Sequence, residues 1–424
     1  MGVAANWQSS TELAQFGASR PATDGDSVDG VTPALVIEPE TPEQMAAAVA
    51  WASREQLATV IRGRGTKLAW GRKPVRVDVV LSTTALSRQI VHRHGDLTAT
   101  VPAGVTLTDL NRQLASQGQW LPLDTAFEHA TVGGLIATND SGPLRHRYGT
   151  PRDLLIGITL AMTDGTLVKS GGHVVKNVAG YDLGKLVSGS FGTLAPIVDA
   201  TFKLLPIPQT SQTLLVSYSD GQPLSADVAT LAGSQLEPIA LDVHVRFDGR
   251  GAGPCRLAVR FATSPEATAA QIADAQRTVS PASQTTQVLT GGAEGAWWSE
   301  QVRRPWGDHA STVRLSWLPA DLPHVLQLFA ELQRVANGSL ELTARAGLGA
   351  GFLCIETDDV AAAKVLERLR SAPLLTHVVV LRHAGVLKGH IDPWGPPLPS
   401  ERVLQALKRS FDPAGILNAG RGPI

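Results

Sequence analysis

The sequence predicts an α+β protein in which two α/β subdomains are followed by a second domain of antiparallel sheet with helices on one face. Three observations predict it. With 424 residues and 43% hydrophobic residues, the chain can fill two or three cores. Up to about residue 213, short β-branched runs alternate with capped helical stretches and glycine-rich turns. From residue 214 the glycine motifs thin out, and strands alternate with helices as in a sheet covered on one face. The predicted division is a loose arm over 1–31, a first domain over 32–213, a second domain over 214–375 and a C-terminal stretch over 376–424 that could form part of either domain.

In the arm, Ser9 and Glu12 have the spacing of a capping box. Residues 34–37 read as a strand. Thr41, Pro42 and Gln44 then supply an N-cap, an N1 proline and a capping-box partner for a helix to about residue 56. Strands follow at 58–62 and 77–82, separated by the loop RGRGTKLAWG. The second subdomain opens with a strand, a turn and a helix that Gly118 stops. Next come TVGGLIATNDSG and a hairpin turning at Thr163, Asp164 and Gly165. A last strand over 197–205 ends at prolines. In the second domain, strands are predicted at 214–218, 240–247, 256–261, 311–317 and 351–356, and helices at 265–278, 322–337 and 360–370. A final helix is predicted at 400–410.

Composition excludes several function classes. There are 37 Lys and Arg against 38 Asp and Glu, so the chain lacks the basic surplus of a nucleic-acid binder. Its apolar runs stop well short of a membrane span, and MGVAANWQSSTELAQFG lacks the order of a signal peptide, which predicts a cytoplasmic protein. Cys255 and Cys354 are the only cysteines, too few for a disulfide framework, a four-thiolate zinc site or a conventional iron–sulfur cluster.

Two glycine loops carry the chemistry. RGRGTKLAWG follows a strand directly; its glycines let successive N–H groups turn toward one anion, and Arg62, Arg64 and Lys67 add positive charge. ATVGGLIATNDSG reads as a loop entering a helix, whose first amides offer a second anion site. Two such sites suit a pyrophosphate, and hence a dinucleotide; the alternative is a pair of tight turns. Leu68 fills the third glycine position of a Rossmann fingerprint, so the predicted dinucleotide fold is a different one.

The motif order is specific. RGRGT, PLDTAFEHATVGGLIATNDSG, RYGTPRDLLIGITLAMTDGTLV, GGHVVKNVAGYDLGKLVSGSFGTLAPIVDATFKLLP and FDPAGILNAGR follow one another. This series resembles the FAD-linked oxidases of the vanillyl-alcohol oxidase superfamily, with its PCMH-type FAD-binding domain. Within it, KNVAGYDLGKLVSGSFGTL is most similar to the E-subunit family of bacterial glycolate oxidase, a glycolate dehydrogenase. The resemblance implies a split FAD-binding domain with an inserted cap. It also implies that Arg62, Gly63, Arg64, Gly65, Thr66 and Lys67 line the pyrophosphate. Asp124, Thr131, Val132, Gly133 and Gly134 would hold the pyrophosphate and approach the flavin, with Thr138, Asn139 and Ser141 continuing that wall. Gly189, Ser190, Gly192, Thr193 and Ile197 would enclose the ribose and adenine end. Lys176, Asn177 and Tyr181 lie in the preceding stretch, and Asn418 would sit by the flavin ring with Arg421 nearby.

Departures from the family sharpen this. Thr66 and Lys67 stand where covalent members carry a histidine, and Ala130 and Thr131 where doubly linked members carry a cysteine. Non-covalent FAD is therefore expected. His377, His383 and His390 do not have the spacing of the related metal-dependent dehydrogenases, so no catalytic metal is expected. A hydroxy acid needs a cation for its carboxylate. Arg303, Arg304 and above all Arg314, inside an apparent strand, are candidates, with exposure on a strand face as the alternative for Arg314. His129 and His173 fall inside cofactor motifs and could act as a base, although structural roles suit both. Trp297, Trp298 and Trp306 read as core aromatics or as a ligand wall.

The resemblance implies partners as well: a related FAD-binding D-type subunit and an iron–sulfur F-type subunit, with glycolate as substrate. Such a complex could attach to the inner membrane face through its partners. A self-sufficient oxidase of another 2-hydroxy acid or alcohol, and a non-catalytic scaffold of the same fold, are the competing readings.

Overall fold

A computed structural model describes residues 13–86, 89–173, 180–248, 252–307, 310–383 and 391–423. The pairing of Ser9 with Glu12, the residues Lys176 and Asn177, and His390 lie outside them. The chain forms two compact units: one over 1–141, 150–207 and 397–424, the other over 142–149 and 208–396.

Among the described residues, the first unit holds two main sheets and a two-stranded pair of Gln119–Trp120 with Leu205–Pro206. In the first, the strands run in the order Ala18–Pro21, Leu35–Glu38, Val79–Ser82, Thr59–Arg62. The last three are parallel, and Ala18–Pro21 adds to them antiparallel. The described end of the predicted loose arm is thus a sheet strand. Helix Pro42–Arg54 makes the crossover. Thr41 accepts from the Gln44 N–H at 3.1 Å as predicted, but Gln44 reaches back to the Glu40 N–H, one residue early. Met45, Val49 and Trp51 of this helix are buried with Ile37, Val79 and Leu81 of the sheet. The outer edge of Thr59–Arg62 is closed by the C-terminal segment. Thr59 N–H donates to Ile416 O at 2.9 Å, and Asn418 N–H to Thr59 O at 2.8 Å.

The second sheet is wholly antiparallel, in the order Val91–Arg93, Thr98–Pro102, Ile197–Lys203, Leu155–Ala161, Leu167–Gly171. Helices Leu107–Ala115 and Val132–Thr138 share its core through Leu110, Leu114, Leu135, Ile136 and Phe202. The Asp-Gly hairpin forms where predicted, with Gly165 at φ +89°.

The second unit is one antiparallel sheet of eight strands: Thr285–Thr290, Thr210–Tyr218, Ala252–Thr263, Ala240–Phe247, Ser339–Arg345, Ala350–Glu356, Ser311–Trp317, Leu375–Arg382. Helices Gly221–Ala232, Pro265–Thr278, Leu322–Ala336 and Asp359–Ser371 bury one face, through residues such as Leu224, Ile272, Phe329 and Val365. Two expectations change here. Leu375–Arg382 pairs with Ser311–Trp317, so residues 376–396 belong to the inserted domain and the return begins at Pro397. Helices also occupy both faces of the sheet. Helix Gly291–Arg303 sets Trp298 against Ala240 and Ala258 on the face opposite the main core. No helix among the described residues is long and apolar enough to cross a membrane.

Candidate functional site

The first unit contains an open cavity, about 860 Å³ with the solvent at its mouth included, walled by both glycine loops, residues 191–197 and the C-terminal segment. Of the residues singled out in the sequence, Arg62, Gly63, Arg64, Gly65, Thr66, Lys67, Thr131, Gly133, Gly134, Thr138, Gly192, Ile197, Asn418 and Arg421 line it. Sequence reasoning gave no role there to Ile61, Leu68, Trp70, Thr83, Ala137, Phe191, Ala195 or Pro196. Asp124, Val132, Asn139, Ser141, Gly189, Ser190 and Thr193 do not line it. Val132 is packed in the core, Asn139 closes a helix in the left-handed conformation, and the N–H groups of Gly189 and Ser190 are spent on Ile136 and Val187 carbonyls. Tyr181 is 91% exposed.

The loops meet through a close approach that glycine alone permits. A Cβ on Gly63 would lie 2.2 Å from Thr131 Oγ1, and one on Gly133 would lie 2.9 Å from the Ala103 Cβ. Thr131 caps helix Val132–Thr138 by accepting from the Gly134 N–H at 3.3 Å.

The loops differ in what they can offer an anion. Among the described bonds, the N–H groups of Arg64, Gly65, Thr66 and Lys67 have no partner within the protein. Four consecutive unspent donors, bent by Gly65 at φ +76°, form a concave main-chain cradle. The second loop is not the amide site its sequence suggests. Val132 N–H donates to Val105 O at 2.8 Å, Gly133 N–H to Ala103 O at 2.9 Å, and Gly134 N–H to Thr131. Its glycines serve packing.

The expected cations are also committed elsewhere. Arg62 donates to Asp26 at 2.9 Å, and Arg20 holds the same carboxylate. With Arg20 foremost, these contacts keep Asp26 far below the usual carboxylate range. Lys67 Nζ lies 2.8 Å from Asp140 Oδ2, and both side chains are buried. Thr125 donates to the same oxygen at 2.8 Å, and the ammonium sits 5.5 Å from the Trp70 and Phe127 ring centroids. Arg421 donates to the carbonyls of Leu68 and Trp70, and burial lowers its pKa. Arg64 is the exposed cation of this loop.

On the opposite wall, Phe191 and Asn418 are held in the left-handed region, at φ +57° and +44°. For Phe191 this conformation costs about 1–2 kcal/mol, and such strain persists only where the surroundings fix it. Here the Phe191 N–H donates to Ala137 O at 2.8 Å, while its carbonyl accepts from Asn418 Nδ2 at 2.6 Å. Asn418 is buried, and its Oδ1 has no partner among the described residues. A buried lone acceptor is costly unless something donates to it. Gly192 faces the same amide; a Cβ there would lie 2.7 Å from Asn418 Nδ2.

The remaining candidates fall outside the cavity lining. His129 is exposed. His173 is exposed with Nδ1 3.4 Å from Thr100 Oγ1. His377 lies 3.0 Å from Ser316 Oγ, and His383 is half-buried. Among the described residues, no His, Asp or Glu lines the cavity. In the second unit, Arg314 is half-buried on the sheet face opposite the main core, between Phe352 and Val379, and already has a partner. Arg304 pairs with Glu300 and Glu341, while Arg303 bonds Ser299 O. Trp298 is core, donating to Thr213 at 2.8 Å, and Trp306 packs on Phe352.

The comparisons with known proteins agree with this geometry. Residues 33–171 match the FAD binding domain family. Three of its curated relatives each match part of the chain. The chain is 33% identical to glycolate oxidase subunit GlcD of Bacillus subtilis (strain 168), over 50% of this chain and 45% of that one. It is 33% identical to D-lactate dehydrogenase of Archaeoglobus fulgidus, over 49% and 46%. It is 35% identical to glycolate oxidase subunit GlcE of Escherichia coli (strain K12), over 36% and 43%. The chain thus spans about half the length of the curated relatives it matches. Among solved structures, alkyldihydroxyacetonephosphate synthase superposes with a TM-score of 0.68 over 92% of this chain and 77% of that one, at 16% identity. The fold is therefore of the PCMH type, and the cofactor of its matched domain is FAD. The residues fit that cofactor. Four unspent amides suit a diphosphate, and the lone Asn418 acceptor suits an N–H donor of the bound molecule.

Proposed function

We propose that this chain is the E-type, FAD-binding subunit of a multi-subunit glycolate dehydrogenase, which oxidises glycolate to glyoxylate. The observation that carries the reading is the cavity itself. It offers main-chain donors and a buried acceptor to a dinucleotide, and among the described residues no carboxylate or imidazole lines it. When bound, FAD supplies two-electron acceptance and stepwise electron release. In this reading the amides of Arg64 to Lys67 hold the diphosphate, Gly192 and Ala195 let it approach, and Asn418 fixes the ring end. Thr66 and Lys67 offer no histidine, so the cofactor is held non-covalently.

A cavity with no base among its described lining residues suits electron relay better than proton abstraction from a carbinol. The D-type partner then holds the primary oxidation site. In this reading an iron–sulfur partner takes the electrons; a conventional cluster needs four thiolates, and this sequence has two cysteines, both buried. A second reading is favoured by the likeness to D-lactate dehydrogenase. In it the chain oxidises a 2-hydroxy acid itself.

Anaerobic mixing separates the two. The isolated chain, loaded with FAD, is exposed to glycolate and to D-lactate, alone and with its D- and F-type partners. Flavin reduction only in the presence of the partners supports the subunit reading; reduction of the chain alone by either acid overturns it in favour of the second.

A further inference from the structure

The C-terminal helix Glu401–Phe411 presents Lys408 to two separate stretches of cavity wall. Its Nζ donates to Thr193 O at 2.7 Å and to Leu417 O at 2.9 Å, and pairs with Asp412 Oδ2 at 2.5 Å. The Asp412 side chain is fully buried and also accepts from the main-chain N–H groups of Ile416 at 3.2 Å and Leu417 at 2.7 Å. Thr193 follows Gly192, and Leu417 precedes Asn418; both of those neighbours line the cavity. One ammonium therefore joins the 191–197 wall to the segment that carries the lone Asn418 acceptor. The two walls touch again through the bond from Asn418 Nδ2 to Phe191 O at 2.6 Å.

Neither Lys408 nor Asp412 lines the cavity, yet their side chains bond each other, the Thr193 carbonyl and the main chain of 416–417, next to the lining residues Gly192 and Asn418. Burial lowers the Lys408 pKa, with Asp412 opposing that shift. A buried pair whose bonds all converge on two binding-wall segments is poised to fix their separation.

We infer that Lys408 and Asp412 are positioning residues for the cofactor cavity, setting the placement of Asn418 opposite Gly192. This rests on the reading of the cavity as the FAD site. The pair acts through Asn418 and the 191–197 wall, without touching the cofactor.

The test compares the full chain with Lys408→Met, with the charge-neutral double variant Lys408→Met/Asp412→Asn, and with Lys408→Arg. Three readouts are taken: the FAD dissociation constant by fluorescence titration, the visible circular dichroism of bound flavin, and the melting of the FAD-free protein. Lys408→Met is expected to weaken FAD by on the order of tenfold and to alter the dichroism. The double variant should melt higher than Lys408→Met while binding FAD as weakly, and Lys408→Arg should recover part of the affinity. A lower melting temperature with unchanged affinity and dichroism would overturn the inference, since a purely structural pair behaves that way. So would failure of all three variants to fold, which would make the pair a folding element. If the unmodified chain binds no FAD, the cofactor reading fails first and the inference falls with it.

Discussion

Replacing Asp140 with leucine tests what the Lys67 ammonium does. Lys67 and Asp140 are 6% and 7% exposed at their side chains, 2.8 Å apart. Asp140→Leu strips the ammonium of its counter-ion and leaves it between Trp70, Phe127 and the Thr138 hydroxyl at 3.4 Å. Removing one partner of a buried pair costs about 3–5 kcal/mol, because the remaining charge stays desolvated. For a unit of this size, about 2–4 °C of melting temperature follows each kcal/mol, so the first unit should melt roughly 6–20 °C lower. The double variant Lys67→Met/Asp140→Leu leaves no orphan charge and should recover most of that loss. It should also keep most of its FAD affinity, because the diphosphate is held by amides. Differential scanning calorimetry of the FAD-free chain and FAD titration read the two effects. A single variant as stable as the parent, or a double variant no better than the single, would refute the buried-pair argument. Near-complete loss of FAD in the stable double variant would return Lys67 to the phosphate.

Other consequences follow from the same geometry. Because Arg62 and Lys67 are neutralised by Asp26 and Asp140, FAD affinity should fall by no more than about threefold between low salt and about 0.5 M salt; a steep salt slope in the titration would contradict the amide cradle. Gly192→Val must adopt φ +69° and drive its Cβ onto the Asn418 amide, so FAD binding should drop at least about tenfold, read by cofactor content after purification. Burial pushes the Cys255 thiol up to about 11 and the Cys354 thiol up to about 12. The native protein then keeps protons that unfolded thiols release above an ordinary value of 9.0, so stability should decline as pH rises past that point. Urea melts across this range check the sign, and the double serine variant should flatten the slope.

What the sequence disclosed depended on how local the signal was. Helix Pro42–Arg54 carries its own cap and N1 proline, and Ala240–Phe247, Pro265–Thr278 and Ser311–Trp317 carry clean periodicities, so all four were legible. Helices Gly221–Ala232 and Gly291–Arg303 open on glycine, which reads as loop. Strand Thr285–Thr290 is an edge with Leu289 as its buried residue, so it lacks alternation. The cavity shows the same divide. Glycine spacing located both loops, but the acceptors that consume the second loop's amides, Val105 and Ala103, come from the distant turn after strand Thr98–Pro102. Likewise the acids that neutralise Arg62 and Lys67 lie 36 and 73 residues away along the chain, beyond any local pattern. The strained Phe191 and the lone acceptor of Asn418 emerge only when the C-terminal segment is laid beside Thr59.

The most direct measurement is of what the purified chain carries. The protein is denatured without proteolysis, and any released chromophore is separated and identified by mass against its molar protein concentration. The account predicts that FAD comes free of the polypeptide at about one per chain, and that the stripped protein takes it up again. A chain that yields no flavin and cannot be reloaded, or one whose flavin stays bound to denatured polypeptide, would contradict it.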